Sequence, residues 1–239
     1  MTSQTTSFFN DYHKLSFQFG VSRYYGAETS NLPSGLIYKF NNFTSPHFGF
    51  YYDILQSESF NFKIGISTLL IREIDEIFID EAQIPNGNRD FARITELVID
   101  GAWRFNLPII TEYLLDTNFG KMSLNSSFIT GYHQEFGISE ASYGVRVPES
   151  QEFTEFNSTY SRSAAPWYFN AQLGIGLYFP FEKWMLRTNL YYNFALQNLY
   201  EGNFTFSNLA QSPDTSGNFS FRGDSFGLEL SIYLKKKKD

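Results

Sequence analysis

The sequence contains no cysteine, which excludes disulfide scaffolds, zinc knuckles and thiol catalysis. No apolar run approaches the roughly 18 residues that a transmembrane helix requires, and the mean hydropathy is negative, at -0.29. Charge is sparse, 18% of residues, and the balance is acidic, with a net charge of -7. That balance argues against a nucleic-acid binder working through a basic face. Gly (17) and Pro (8) follow no collagen-like period, and Leu, Ile, Val and Phe are too plentiful for a disordered chain. Met1 to Asp11 has neither the basic start nor the apolar stretch of a signal peptide. An exported chain whose leader has been removed begins in the same way. What is abundant is aromatic: 27 Phe, 16 Tyr and 3 Trp make up 19% of the 239 residues.

The apolar residues recur at every second position, the period of a strand with two different faces. From Ser225 to Leu234 one face is Phe226, Leu228, Leu230, Ile232 and Leu234, and the other is Ser225, Gly227, Glu229, Ser231 and Tyr233. The same alternation predicts strands over about 13–25, 46–55, 59–71, 96–115, 120–134, 167–181 and 184–200. In the strand over 167–181, Trp167 and Phe169 precede Ala171, Leu173, Ile175 and Leu177, and Phe179 and Phe181 follow. Aromatics bracket aliphatics. Ten residues at about 3.3 Å each and a tilt near 40° rise about 25 Å, the height of an outer-membrane barrel's apolar band. The next strand repeats that spacing from Trp184 to Phe194. A soluble sandwich or lipocalin-like barrel also alternates, with its apolar face inward. Its outer face would be rich in Lys and Glu. Here the polar face is mostly Ser, Asn, Gln, Gly and Tyr, which suits a crowded lumen.

The connections at 56–58, 116–119 and 182–183 are short, whereas 26–45, 72–95, 135–166 and 201–223 are long. Bacterial barrels have short periplasmic turns and long external loops. The expectation is therefore an all-β fold, an eight-stranded antiparallel up-and-down transmembrane β-barrel with a filled polar lumen, in the bacterial outer membrane. Residues 1–12 form a periplasmic N-terminal segment, 13–235 the barrel and 236–239 a periplasmic tail. Lys235 to Lys238 either meet anionic headgroups or are solvated.

The stretch Leu107-Pro108-Ile109-Ile110-Thr111-Glu112-Tyr113, followed after a turn by Lys121-Met122-Ser123-Leu124, resembles a strand pair of the PorT-like outer-membrane β-barrel family of the Bacteroidota. Gly174-Ile175-Gly176-Leu177 and Gly227-Leu228-Glu229-Leu230-Ser231-Ile232-Tyr233 resemble the last hairpins of that family. The resemblance covers about the C-terminal two thirds of the chain. It implies an outer-membrane location and, for some members, a role in protein secretion or surface-protein assembly. It supplies no catalytic residue. Ser225, Gly227, Leu230 and Ile232 also resemble the final-strand signal read by the barrel assembly machinery, although the chain runs on through Lys235 to Asp239 instead of ending on an aromatic.

Among the polar-face charges, Lys14, Lys63, Arg104, Lys121 and Arg187 face Asp53, Asp100, Glu112 and Glu229, with Glu96 and Glu135 nearby. Eight strands enclose a lumen narrow enough for side chains to fill, and a buried charge without a partner is costly. The expected outcome is a paired network. Trp167, Phe169, Phe179, Phe181 and Trp184 are the candidate girdle. For catalysis the histidines are His13, His47 and His133; His133 with Glu135 and Ser126, Ser127 or Ser139 is the set to test against a lipid-modifying serine mechanism. An interior histidine held by hydrogen bonds is the structural reading. Ile74, Ile77, Phe78 and Ile79, interleaved with acids, suggest either a strand extended beyond the membrane or a partner-docking loop; the acid spacing is not that of an EF-hand. The loop over 135–166 suits exposed binding or mobility. No cofactor, metal, nucleic acid or enzymatic activity is expected. Outer-membrane lipids and other outer-membrane or periplasmic proteins are the expected partners, with an accessory subunit of a secretion or assembly complex ahead of a stand-alone envelope-stabilising or adhesion barrel, and a lipid A-modifying enzyme third.

Overall fold

The computed structural model describes residues 8–25, 28–29, 32–40, 42–85, 93–118, 120–133, 138–146, 153–162 and 166–237. In chain order the strands are β1 (Tyr12–Tyr24), β2 (Glu28–Thr29), β3 (Leu36–Phe40), β4 (Phe43–Gln56), β5 (Phe60–Ile79), β6 (Arg93–Thr117), β7 (Gly120–His133), β8 (Ile138–Arg146), β9 (Phe153–Arg162), β10 (Trp167–Pro180), β11 (Trp184–Ala195), β12 (Tyr200–Ser207), β13 (Thr215–Phe221) and β14 (Ser225–Lys235). Eight of them pair antiparallel around a closed circuit, β1-β4-β5-β6-β7-β10-β11-β14 and back to β1. These are the eight strands that alternation predicts.

Closure depends on β1 meeting β14, which it does from Ser16↔Tyr233 to Tyr24↔Ser225. The pairing slips between Tyr12 and Ser16. That slip corrects one expectation: Tyr12 and Ser16 point inward, but Lys14 is exposed on the outside, donating to the Ile54 carbonyl at 3.4 Å. A bulge reverses facing over a few residues, so strict alternation misassigns Lys14.

Two layers of side chains result. Outward stand Phe17, Phe50, Ile66, Leu107, Leu173 and Leu190, between 41% and 61% exposed. Inward stand Ser, Asn, Gln, Tyr and most of the barrel charges. The lumen is not polar throughout, because Pro108, Ile110 and Leu114 of β6 also point in. An apolar wall this continuous around a polar interior is the reverse of a soluble barrel, and the closed ladder leaves no barrel strand with an unpaired edge, as a bilayer demands.

β5 and β6 run for 20 and 25 residues, about twice the 9–11 residues that cross a membrane. Their far halves project beyond the wall on the side opposite the termini, which is the extracellular side by the loop-length rule. There β3 adds to β5, from Leu36↔Ile79 to Phe40↔Asp75. A second sheet, in the order β2-β13-β12-β9-β8, is built from the long connections. Between these sheets lies a core that includes Tyr38, Phe204, Phe206, Phe219 and Phe221. Ile77 and Ile79 belong to it, at 1% and 2% exposure. Their expected role as exposed docking residues is thereby corrected: the segment is the extended strand, and alternation turns these two inward. Phe78 is half-buried, and the side chain of Ile74 lies outside the described residues. The loop over 135–166 contributes the β8–β9 hairpin.

The periplasmic end is closed by the chain's own start. Phe9 is fully buried and packs edge-on against Tyr178 at 5.2 Å, with Tyr12, Leu114, Met185 and Tyr233 around it and Phe8 alongside. The segment 1–12 is thus part of the barrel base from Phe8 onward. Lys236 ties the end to it, its amide donating to the Asp11 carbonyl at 2.8 Å.

Candidate functional site

The lumen holds three polar tiers between these two apolar clusters. The lowest is centred on Glu112 of β6. Lys63 of β5 approaches it at 2.8 Å and Arg187 of β11 at 2.6 Å. Asn61 donates to the same carboxylate at 3.1 Å and the Tyr178 hydroxyl at 2.5 Å. Lys63 also donates to the hydroxyls of Tyr178 and Tyr233, at 2.6 and 2.7 Å, and stands 3.8 Å from Asp53. Asp53 in turn accepts from Gln56 at 2.6 Å. Two cations and two carboxylates make the tier electroneutral. Such a cluster tolerates burial because each charge has a counter-ion within 3.8 Å, and Lys63, Glu112 and Asp53 also have hydrogen-bond partners.

The middle tier is a hydrogen-bonded chain across four strands. The hydroxyls of Tyr191 (β11) and Ser22 (β1) lie 2.5 Å apart, Ser22 Oγ is 3.3 Å from His47 Nδ1 (β4), and His47 Nε2 faces Glu229 (β14) at 3.4 Å. Asn189 donates to the other Glu229 oxygen at 2.9 Å, and Asn125 donates to Asn189. Gly227 makes room for this array, since the Tyr191 ring occupies the space a Cβ would take. Beside it is a cavity of about 50 Å³, lined by polar groups that include Tyr24, Tyr51, Asn170, Asn193 and Glu229 and by apolar Pro108, Ile110 and Ile129. That volume holds a few waters or one small molecule; it cannot hold a lipid acyl chain.

The upper tier is Arg104 of β6, 3% exposed, with its guanidinium 5.5 Å from the centre of the Tyr168 ring. The Tyr168 hydroxyl donates to Asn106. His133 stacks against Tyr168 at 4.8 Å, an interior position for this histidine.

Of the expected charge network, Asp53, Lys63, Glu112 and Arg187 are brought together. Glu229 sits a tier higher and Arg104 higher again. Lys121 lies at the base, donating to Asp116 at 2.6 Å and to the Glu58 carbonyl at 3.0 Å, with its ammonium 5.8 Å from the Phe8 ring. Lys14 is outside, and the side chain of Asp100 is beyond the described residues. Of the serine candidates, Ser126 and Ser127 are engaged elsewhere. Ser126 faces outward and bonds Thr111 at 2.8 Å, Ser127 faces inward and bonds Gln172 at 2.8 Å, and the side chains of Glu135 and Ser139 lie outside the described residues. Asn61, Tyr178, Tyr233, Ser22 and His47 fall on the polar face that alternation assigns, but a network chosen by charge leaves them and Tyr191 out. Their inward parity was the available signal.

The girdle residues fall at the two ends of the wall. Trp167 and Phe169 are exposed near the extracellular rim, Trp167 packing on Tyr132 at 5.2 Å; Phe181 and Trp184 stack at 4.3 Å near the periplasmic rim, beside half-buried Phe179.

No protein-family model and no curated protein matches the chain. Among solved structures it is similar to the outer membrane protein OprG from Pseudomonas aeruginosa, at 10% identity and a TM-score of 0.43, covering 95% of this chain and 99% of that one. It is also similar to the outer membrane protein AlkL, at 13% identity and a TM-score of 0.40, covering 100% and 99%. A third is a major outer membrane protein from Thermus thermophilus, at 10% identity and a TM-score of 0.38, covering 94% and 100%. The outward apolar wall and the closed ladder around a polar interior decide the location. The chain is an outer-membrane β-barrel. Within this barrel the groups that could contact a small ligand are those of the middle tier, because the cavity of about 50 Å³ lies among them.

Proposed function

We propose that the barrel is a non-enzymatic, non-conducting accessory subunit of an outer-membrane secretion or assembly complex, acting through its extracellular sheet and its lipid-facing wall. The observation that carries this reading is the filled lumen: among the described residues the Glu112 tier and Phe9 occupy the periplasmic end, and an aromatic core stands at the extracellular end. Work is then left to the outside. There β8 pairs only with β9 among the described residues, and a strand with one free edge is a template for a partner's strand. Membership of the PorT-like family belongs to the same proposal, as do outer-membrane or periplasmic protein partners.

Two measurements test it. In planar bilayers the purified barrel is expected to give no stable conductance; steady single-channel steps would reject the filled-lumen reading. Affinity purification from gently solubilised membranes is expected to recover stoichiometric partner proteins. Recovery solely as a monomer would replace the complex with a stand-alone envelope barrel. His133→Ala is expected to leave lipid A unchanged by mass spectrometry.

A further inference from the structure

The middle-tier cavity combines three features that point to one ligand chemistry. First, its wall carries the rings of Tyr24, Tyr51 and Tyr191, all at least nine-tenths buried. Aromatic side chains around a small buried space favour cations over anions, and more so where water is scarce. Second, the formal charge lining it is the Glu229 carboxylate. Glu229 accepts from Asn189 and faces His47, yet a carboxylate has about four acceptor sites, so capacity remains. Third, Asn170 Oδ1 and Asn193 Oδ1 have no hydrogen-bond donor among the described residues, although the two side chains are only 8% and 5% exposed. Buried acceptors without donors are costly and call for an occupant that brings N–H or O–H groups.

Tyrosine rings, a carboxylate and unfilled amide oxygens together describe an ammonium site. We propose that the cavity of about 50 Å³ binds a small primary ammonium ion, ammonium itself or methylammonium, with its N–H groups on Asn170, Asn193 and Glu229. The apolar part of the lining takes the methyl end. Water alone would fill the space and satisfy the amides, but would leave the Glu229 charge without a cation beyond His47.

The test uses the full barrel refolded in lipid with methylammonium chloride present from the start, so that occupancy does not depend on an entrance. The readout is the thermal midpoint at which the heat-modifiable folded band is lost. A ligand that binds only the folded state raises this midpoint with its concentration and Kd. The midpoint is expected to climb and saturate with methylammonium, and to stay flat with equal sodium chloride or with tetramethylammonium, which is too large. Glu229→Gln is expected to weaken the apparent affinity about tenfold or more, because a charge-assisted contact is lost. Asn193→Leu reads the same site without altering charge, and serves if E229Q does not fold. A flat wild-type midpoint means the cavity holds water and overturns the proposal. So does a rise that sodium chloride reproduces, or one that persists at equal affinity in both variants.

Discussion

Glu112 serves two cations and two neutral donors at once, so its loss is not the loss of one ion pair. Glu112→Leu would leave Lys63 and Arg187 buried with only Asp53 to balance them. Removing one partner of a buried pair typically costs about 3–5 kcal/mol. The variant is expected to show at least that loss in urea-induced unfolding in lipid vesicles, whereas Lys14→Ala, on the outer face, is expected to change stability by less than about 0.5 kcal/mol. Gly131 gives a second residue-scale prediction. The Tyr168 ring lies where its Cβ would be, so Gly131→Val must displace the ring and with it the Asn106 bond and the Arg104 contact. The expected outcome is loss of near-ultraviolet tyrosine ellipticity together with a lower thermal midpoint.

At the scale of the element, parity does most of the work. Leu173 and Leu190 stand at the middle of the wall on β10 and β11, 56% and 61% exposed. Leu190→Arg is expected to cost about 2–4 kcal/mol in bilayers, a penalty that disappears when the same variant is compared in a charged detergent. Alternation also made the eight barrel strands legible, and it failed where the backbone departs from it, at the bulge between Tyr12 and Ser16. The extracellular strands were legible too. Tyr200, Phe204 and Phe206 on β12, and Phe219 and Phe221 on β13, keep the same every-second-residue spacing. The stretch 201–223 reads as a loop because each run is short and bounded by Asn, Gly and Ser, and the strand predicted to reach Tyr200 ends at Ala195 instead. Parity also puts Tyr178 and Tyr233 on the inner face; what it does not carry is that both meet Lys63, because the three come from strands far apart in sequence. Phe8 and Phe9, an apolar pair in a polar start, gave no periodic signal at all.

For the whole molecule, the barrel and its external sheet are separable in connectivity. β11 pairs directly with β14 from Trp184↔Leu234 to Asn193↔Ser225, so the β12–β13 hairpin hangs between two strands already joined. Replacing 198–222 by a short Gly/Ser turn is expected to leave a barrel that still shows heat-modifiable migration. It should also uncover the Tyr38 and Ile77 surface, read as raised binding of a hydrophobic dye. Loss of all folded material would mean that the external core is required for closure.

Closure itself has a kinetic consequence. Ser231 bonds Gln18 across 213 positions of sequence, so the seam between β1 and β14 cannot form until the last strand has been made. Until then the chain has two free edges, each a full strand long, in a sheet whose contacts are mostly non-local. Such topologies fold slowly and their unpaired edges invite mispairing. The tie between Lys236 and Asp11 sits at one end of that seam, where a zipper would start. The barrel's stability is therefore acquired in one late event, and a chain interrupted before Ser225 is committed to an open sheet rather than a smaller barrel.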